Sequence, residues 1–599
     1  MADEQREIVI IGSGAGGAPL AQTLVDAGHD VLMLEKGPLL RTQQQSPDGL
    51  SDFKRDELFA TGAEKRLTVP GMANIGEAYF SSHVEPDLND EPHVYRDADG
   101  RDRATIEGYT AQVVGGGTQL YGGVSLRFTT DDLRLRSFNA GRSDLKNDPG
   151  GDVEREARDW PVSYDELEPF YTEAERIVGL NGTRENQEKP ASQDHYQPPL
   201  EPNPISKFVA AGMDALAMKR YRTPLAVITR DHEPSGRTVP ADEESIKTAF
   251  VNRYGDPLGL KSNTWISILA PMSEKPNFEL RANCNVTHLE SDGDRVTKVH
   301  YRDPAGGRRV VEASRAVVVA CSAIESVRLL QLSAAADQGG FGNRIHASGL
   351  LGRYFLTHCF GGASAVLPER ADKSKTLDSD WATDHCARAD WVREQGLWAG
   401  GAIYNNTSDA ALPISLARTW QARDMDNVWK GYLGDTSIVG NGFEDYMDAN
   451  FGRRVSVSFM ANQVAQPDNR IELHPTVRDK WGRPAAYVIK DWHGHDQVLM
   501  DVLADQCGEI LRRGGEGVRF DGQGHVGNEV SRIANHVLGG ARFGTDPTDS
   551  VLDRDCRAWE FQNLYVTDGA FMPTSGSANP TLTIQANSLR VGQALRGRL

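Results

Sequence analysis

Residues Glu7–Ile11 (EIVII) run directly into Gly12-Ser13-Gly14-Ala15-Gly16-Gly17, and the reading of this stretch decides the fold. A short β-branched run of this kind is what a parallel sheet buries on both faces. The glycines that follow it predict a tight turn. Gly17–Ala27 then predicts a helix closed by Gly28, Val31–Leu34 a second strand, and Glu35 stands at that strand's carboxyl end, eighteen residues after Gly17. Strand, glycine turn, helix, strand and acid together form the βαβ unit that holds a dinucleotide. In that geometry Gly12 permits the turn, Gly14 lets backbone approach a pyrophosphate, and Gly17 packs helix against strand. The pyrophosphate lies at the helix N-terminus, where unpaired N–H groups and the macrodipole favour an anion. Glu35 would accept hydrogen bonds from an adenosine ribose, and its charge disfavours a 2′-phosphate, which argues against a phosphorylated nicotinamide cofactor.

Working outward, 599 residues exceed one compact core, so two domains or an interwoven pair are expected. The 39% hydrophobic and 25% charged content is that of a soluble globular protein, and no apolar run is long enough to span a bilayer. The opening MADEQRE enters the first strand without a basic and apolar leader, which gives the expectation of a cytoplasmic protein. Cysteines 284, 321, 359, 386, 507 and 556 have no metal-ligand spacing and predict free, buried thiols. A net charge of −19 makes nucleic acid or an anionic membrane an unfavourable partner. It suits a cationic substrate, and solubility is the commoner use of such a balance. If the charge serves capture, acids of the 39–105 stretch (Asp52, Asp56, Glu57, Glu64, Glu77 and Glu85) are the candidates for a pocket mouth.

Residues 39–105 are polar and rich in charge, Gly and Pro, as in an insertion covering a site, and 183–203 form a proline-rich linker. The run Val113–Gly123 carries so many glycines that backbone is expected to lie close to a flat or phosphate-bearing ligand. Phe278–Ser291 and Val296–Tyr301 read as hairpin strands, Ala316–Ala320 as a buried strand and Ala323–Leu332 as a helix. Residues 353–460 read as sheet. Leu564–Val566 predicts a strand and Pro580–Leu595 a helix, with Asn579 at the N-cap and Pro580 at the first helical position. Five further histidines, 358, 474, 493, 495 and 525, show no spacing with carboxylates that suggests a metal, and no GxSxG elbow is present.

Asn563–Thr574 (NLYVTDGAFMPT) with Ser577–Ile584 (SANPTLTI) resembles the last block of the glucose–methanol–choline (GMC) flavoprotein oxidoreductases. His536–Gly544 (HVLGGARFG) resembles the family's block around its catalytic histidine. The blocks Asp159–Tyr171, Val319–Ser326 and Asp468–Leu473 agree in order, and the pattern is nearest to bacterial pyranose oxidase and sugar dehydrogenase members, which carry asparagine where others have a second histidine. The resemblance implies an α/β fold: a discontinuous Rossmann-like FAD-binding domain (1–38, 106–130, 278–352, 530–599) interwoven with a sheet-based α+β substrate domain (131–277, 353–529), and 39–105 as insertion or lid. It implies His536 as base and Asn579 as its partner. Cofactor contacts are implied for Gly12, Gly14, Gly17, Glu35, Gly115, Gly116, Gly117, Thr118, Val286, Asp568, Gly569, Pro580 and Thr581, the cofactor role being favoured for Asp568 over a turn cap, which stays open. FAD is expected without a covalent link, because Leu120, after Gln119, stands where some relatives have the linking histidine; Ser322 departs from the usual glycine-type residue.

The implied reaction converts CH–OH to carbonyl on a sugar, glycoside or aminosugar, with a hydride passing to flavin N5, a proton to His536, and oxygen or another acceptor regenerating the flavin. A lyase of the same fold, or oxidation of a steroid or aliphatic alcohol, is the alternative.

Overall fold

The computed structural model describes residues 2–52, 91, 93–97, 99–105, 111–241, 256, 258–371, 379–407, 445, 448–449, 451–528 and 536–599. β1 (Glu4–Ile11), α1 (Ala18–Asp26) and β2 (Val31–Leu34) form the expected unit, with β1 and β2 parallel from Ile8 opposite Val31 to Ile11 opposite Leu34. Ile8, Val9 and Ile10 are wholly buried, as in a sheet covered on both faces. β6 (Phe278–Arg281) lies parallel outside β2, and β9 (Arg308–Val319) lies parallel on the other side of β1. β19 (Leu564–Val566) pairs with the end of β9. This parallel core with its helices is a Rossmann-like lobe.

The stretch expected as one strand over Phe278–Ser291 is two. Asn283, at φ +56°, turns the chain after β6, and β7 (Asn285–Asp292) then forms an antiparallel hairpin with β8 (Arg295–Arg302), which continues the sheet from β9. The cause is local: the Asn283 and Cys284 N–H groups donate to the Gly37 and Glu35 carbonyls, tying the turn to the residues that follow β2.

A second, six-stranded antiparallel sheet runs in the order β17 (Arg519–His525), β11 (Cys359–Val366), β14 (Arg454–Ala461), β13 (Gly401–Asn406), β12 (Trp381–Thr383), β5 (Tyr221–Arg222). Alternation divides its faces. Val455, Val457 and Phe459 pack with Leu499, Leu503 and Cys507 of the long helix Gly494–Arg512, while Phe360, Tyr404, Ser458 and Met460 share the other face through the register pairs Phe360–Met460 and Tyr404–Ser458. Together the two lobes give the mixed α/β architecture expected.

The end of the 39–105 stretch contributes two strands. β3 (His93–Arg96) and β4 (Asp102–Thr105) join β15 (Arg470–Arg478) and β16 (Pro484–Ile489), with β3 parallel to β16 and Val94 wholly buried between them. Asp52 is paired with Arg41 at 3.0 Å; Asp56, Glu57, Glu64, Glu77 and Glu85 lie outside the described residues. All six cysteines are free thiols, five buried and Cys321 partly exposed. Among the described residues no helix is long and apolar enough to cross a membrane.

Candidate functional site

The glycine turn is fixed by backbone contacts. Gly12 sits at φ +102°, and a Cβ there would lie 2.2 Å from the Ala320 carbonyl oxygen at the end of β9; one on Gly17 would lie 2.1 Å from the Gly12 carbonyl oxygen. Neither backbone can yield. A Cβ on Gly14, by contrast, would meet nothing nearer than the Gly116 Cα at 3.8 Å, so the turn keeps one open face.

That face meets the second glycine run. The Gly115 N–H donates to Ser13 Oγ at 2.9 Å, and Gly115 and Gly116 both adopt positive φ, which brings Gly116 against Gly14. Ser13 Oγ in turn donates to Glu35 at 2.6 Å, and Glu35 also accepts from the Ser13 and Gly37 N–H groups at 3.0 and 2.9 Å. Burial raises the Glu35 pKa against those donors. Glu35→Ala is therefore expected to weaken FAD retention and lower Tm. It unpairs three buried donors at about 1–3 kcal/mol each before any ligand bond is counted. Thermal melts and FAD titration check this, and unchanged values in both would remove Glu35 from the site.

The C-terminal segment clamps the turn from above. Thr567 Oγ1 and Ser588 Oγ both donate to the Gly16 carbonyl at 2.7 Å, and Trp160 Nε1 donates to Thr574 Oγ1 at 2.7 Å, which explains the distant Asp159–Tyr171 block. Asp568 accepts from the Ala570 N–H at 2.9 Å, capping a single turn over Gly569–Phe571, and from Ser326 Oγ. Burial pushes its pKa up to about 6. It also faces the cavity, so the cap and the position beside a ligand coexist.

A cavity of about 450 Å³ runs from this floor to the six-stranded sheet. Gly12, Gly14, Gly116, Gly117 and Thr118 line one end with Glu35, Val286 and Asp568; His536, Gly569, Asn579, Pro580 and Thr581 line the remainder, while Gly17 and Gly115 shape the floor from behind without facing it. The wall also holds residues that sequence reasoning did not place there, together with Ser322, which it had marked as a departure. Lys36, pushed down to about 8 by burial and paired with Glu91 and Glu325, stands beside Glu35. Ser322 opens the helix after β9 at φ +74° and ψ 148°, a conformation that costs a non-glycine residue about 1–3 kcal/mol. Phe360, Tyr404, Asn406, Ser458 and Met460 come from the second sheet. For Tyr404, Asn406, Ser458 and Met460, period-two spacing in GAIYNN and RVSVSFMA was the available signal.

Asn579 corrects an expectation. The carbonyl of Pro580 accepts the first helical bond, from Ile584 at 2.9 Å, so Pro580 holds the cap position of the helix Thr581–Arg596 and Asn579 caps nothing. The Asn579 Oδ1 is buried without a hydrogen-bond partner, in a wall of the cavity. An orphaned acceptor of this kind fits a ligand. His536 lines the cavity, and burial lowers its pKa to about 4, so it is neutral at pH 7. Its Nδ1 lies 3.2 Å from Nδ1 of His358, which is wholly buried. Among the described residues no three His, Cys, Asp or Glu side chains converge as metal ligands.

The fold and cavity define an α/β dinucleotide-binding protein with a neutral histidine facing the same cavity as the glycine floor. The chain belongs to the GMC oxidoreductase family: two family models so described match residues 161–359 and 465–588. It is an enzyme of that FAD-dependent family. Over its whole length it is 29% identical to paromamine 6′-oxidase of Streptomyces fradiae and 27% identical to 6‴-hydroxyparomomycin C oxidase of Streptomyces lividus, covering 92% of each. The crystal structure of pyridoxine 4-oxidase from Mesorbium loti shares the fold, with a TM-score of 0.56 at 15% identity over 98% of this chain and 99% of that one.

Proposed function

We propose that the protein oxidises a CH–OH group of a hydroxyl-rich ring, a sugar, glycoside or aminosugar, with His536 as base and Asn579 as the group that holds the substrate oxygen. The observation that carries this reading is the orphaned Asn579 Oδ1 in the same cavity as the buried, neutral His536. FAD, when bound, supplies the acceptor for the carbinol hydride. The open face of Gly14, the Glu35 carboxylate and Asp568 are the residues that would hold it, without a covalent link because Leu120 has no nucleophile.

A neutral imidazole can take the hydroxyl proton as the C–H bond breaks. Asn579 orients the reacting oxygen or its neighbour, and the N-terminal end of the helix Thr581–Arg596, open to the cavity at Pro580 and Thr581, favours negative charge there. Tyr404, Asn406 and Ser458 give the opposite wall the hydrogen-bonding groups that a polyol needs and a sterol does not. Two relatives matched along the whole chain and named for paromamine and 6‴-hydroxyparomomycin C support an aminosugar within that class.

Anaerobic bleaching of the flavin across sugars, glycosides, aminosugars and sterols tests the proposal. Substrate consumption without bleaching would favour a lyase. Asn579→Ala is expected to leave Tm unchanged, since no cap is lost, and to slow flavin reduction by tenfold or more, about the 1.4 kcal/mol of one hydrogen bond. A lower Tm with normal reduction would return Asn579 to a structural role.

A further inference from the structure

The turn between β15 and β16, residues 479–483, lies far in sequence from every glycine motif, yet it reaches the Glu35 end of the cavity. The Asp479 carboxylate tightens it by accepting from the Trp481 and Arg483 N–H groups at 3.0 and 2.9 Å. Asp479 also accepts from Arg483 Nε at 2.9 Å and from Arg328 Nη2 at 2.7 Å, so the Arg483 guanidinium is held in place. From there Arg483 Nη1 reaches the start of β7 and donates to Asn285 Oδ1 at 3.4 Å and to the Val286 carbonyl at 3.3 Å.

That contact orients an amide. A guanidinium carries donors only, so the Asn285 oxygen is the atom that faces it and the NH2 group faces elsewhere. Asn285 Nδ2 is buried with no hydrogen-bond partner, on a residue that is 7% exposed and lines the cavity. A buried donor left unpaired is costly, and one on a cavity wall is completed by a ligand.

The position of the donor says which part of a ligand completes it. Glu35, at the end of β2, marks the ribose of a dinucleotide, so the base lies beyond it. Leu34, Val286 and Leu329 give this end of the wall apolar surface suited to a flat ring. The charged groups there are engaged with one another: Lys36 pairs with Glu91 and Glu325, and Glu325 also pairs with Arg328 at 3.1 Å and His93 at 3.0 Å. Asn285 Nδ2 thus offers an uncharged donor beside an apolar surface. Adenine meets a donor with its ring nitrogens, which accept.

We propose that Asn285 is a cofactor-recognising residue whose Nδ2–H donates to a ring nitrogen of the adenine of FAD. The proposal rests on the placement of FAD along Gly14 and Glu35 given above, and it adds a specificity to that reading. With Oδ1 taken by Arg483, the amide offers the base a donor alone. A base that presents an N–H at this point sets two donors face to face and is rejected.

The test measures FAD binding to the apoprotein by quenching of flavin fluorescence, with no turnover. FAD analogues built on 1-deaza-, 3-deaza- and 7-deazaadenine each replace one ring nitrogen with C–H. At least one of the three is expected to bind the parent about tenfold more weakly than FAD, the scale of one hydrogen bond. The same analogue is expected to bind Asn285→Leu as tightly as FAD does, because the donor is already gone. Asn285→Asp keeps an oxygen for Arg483 and serves if the leucine variant fails to fold. It sets an acceptor against the ring nitrogen, so its FAD affinity is expected to fall at least about tenfold. Equal affinity of the parent for FAD and all three analogues would overturn the proposal, as would a preference for FAD that persists undiminished in Asn285→Leu, or parent affinity in Asn285→Asp. If Gly14→Ala and Glu35→Ala both hold FAD as tightly as the parent, the placement of the cofactor falls, whereas a failure confined to the analogues and the Asn285 variants strikes Asn285 alone.

Discussion

Replacing His536 with alanine is expected to leave FAD bound and to slow anaerobic flavin reduction by about 10²-fold or more. Retention follows from the separation of tasks: the cofactor-facing positions Gly14, Glu35 and Asp568 follow β1, β2 and β19 directly in the chain, away from His536 in sequence. The pH dependence has a definite sign. Burial lowers the His536 pKa from its ordinary 6.5 to about 4, and the unprotonated ring is the base. Reduction should therefore be flat from pH 8 down to about pH 5 and fall toward tenfold per pH unit below 4, where the ring is charged. An acid limb near pH 6.5, or an unchanged rate in the alanine variant, would remove His536 from the proton transfer.

Gly14→Ala and Gly17→Ala should separate binding from folding. An added methyl at Gly14 meets no protein atom closer than 3.8 Å and Gly14 has no positive φ, so the variant is expected to fold with a Tm close to the parent. The same methyl stands where backbone must approach the pyrophosphate. Overpacking at about 1–3 kcal/mol predicts FAD affinity lower by roughly 5–150-fold. At Gly17 the methyl would lie 2.1 Å from the Gly12 carbonyl oxygen, which is backbone and cannot move aside. There both Tm and FAD content should fall together. FAD stoichiometry by absorbance and a melting curve distinguish the two, and a Gly14→Ala protein that holds FAD as tightly as the parent would move the pyrophosphate off this turn.

The first βαβ unit was legible because each of its signals is local. β-branched residues, a glycine turn and an acid at fixed spacing act within thirty or so residues, and the turn has one sterically permitted form. The C-terminal blocks were legible by resemblance, and the structure gives their physical basis: Thr567 and Ser588 bind the Gly16 carbonyl, and Trp160 binds Thr574. Element boundaries were less so. Asn283 breaks an otherwise strand-like run because a contact with Gly37 rewards its positive φ, and that contact is distant in sequence. Asn579 before Pro580 looked like a cap; the helix begins one residue later, and the side chain is left for the cavity.

By itself, then, the sequence determined the parallel core, the dinucleotide turn and the likeness of the His536 and Asn579 blocks to a family, because those depend on short-range periodicity, glycine sterics and fixed spacing. Tertiary structure alone decided which polar side chains meet. Phe360, Tyr404 and Ser458 reach the cavity through strand register in a sheet whose six strands are drawn from residues 221 to 525. His358 reaches His536 through a two-residue ladder joining chain segments almost two hundred residues apart. A one-residue slip in either ladder would turn these side chains to the opposite face, and register is set by packing across the whole fold rather than by any local pattern.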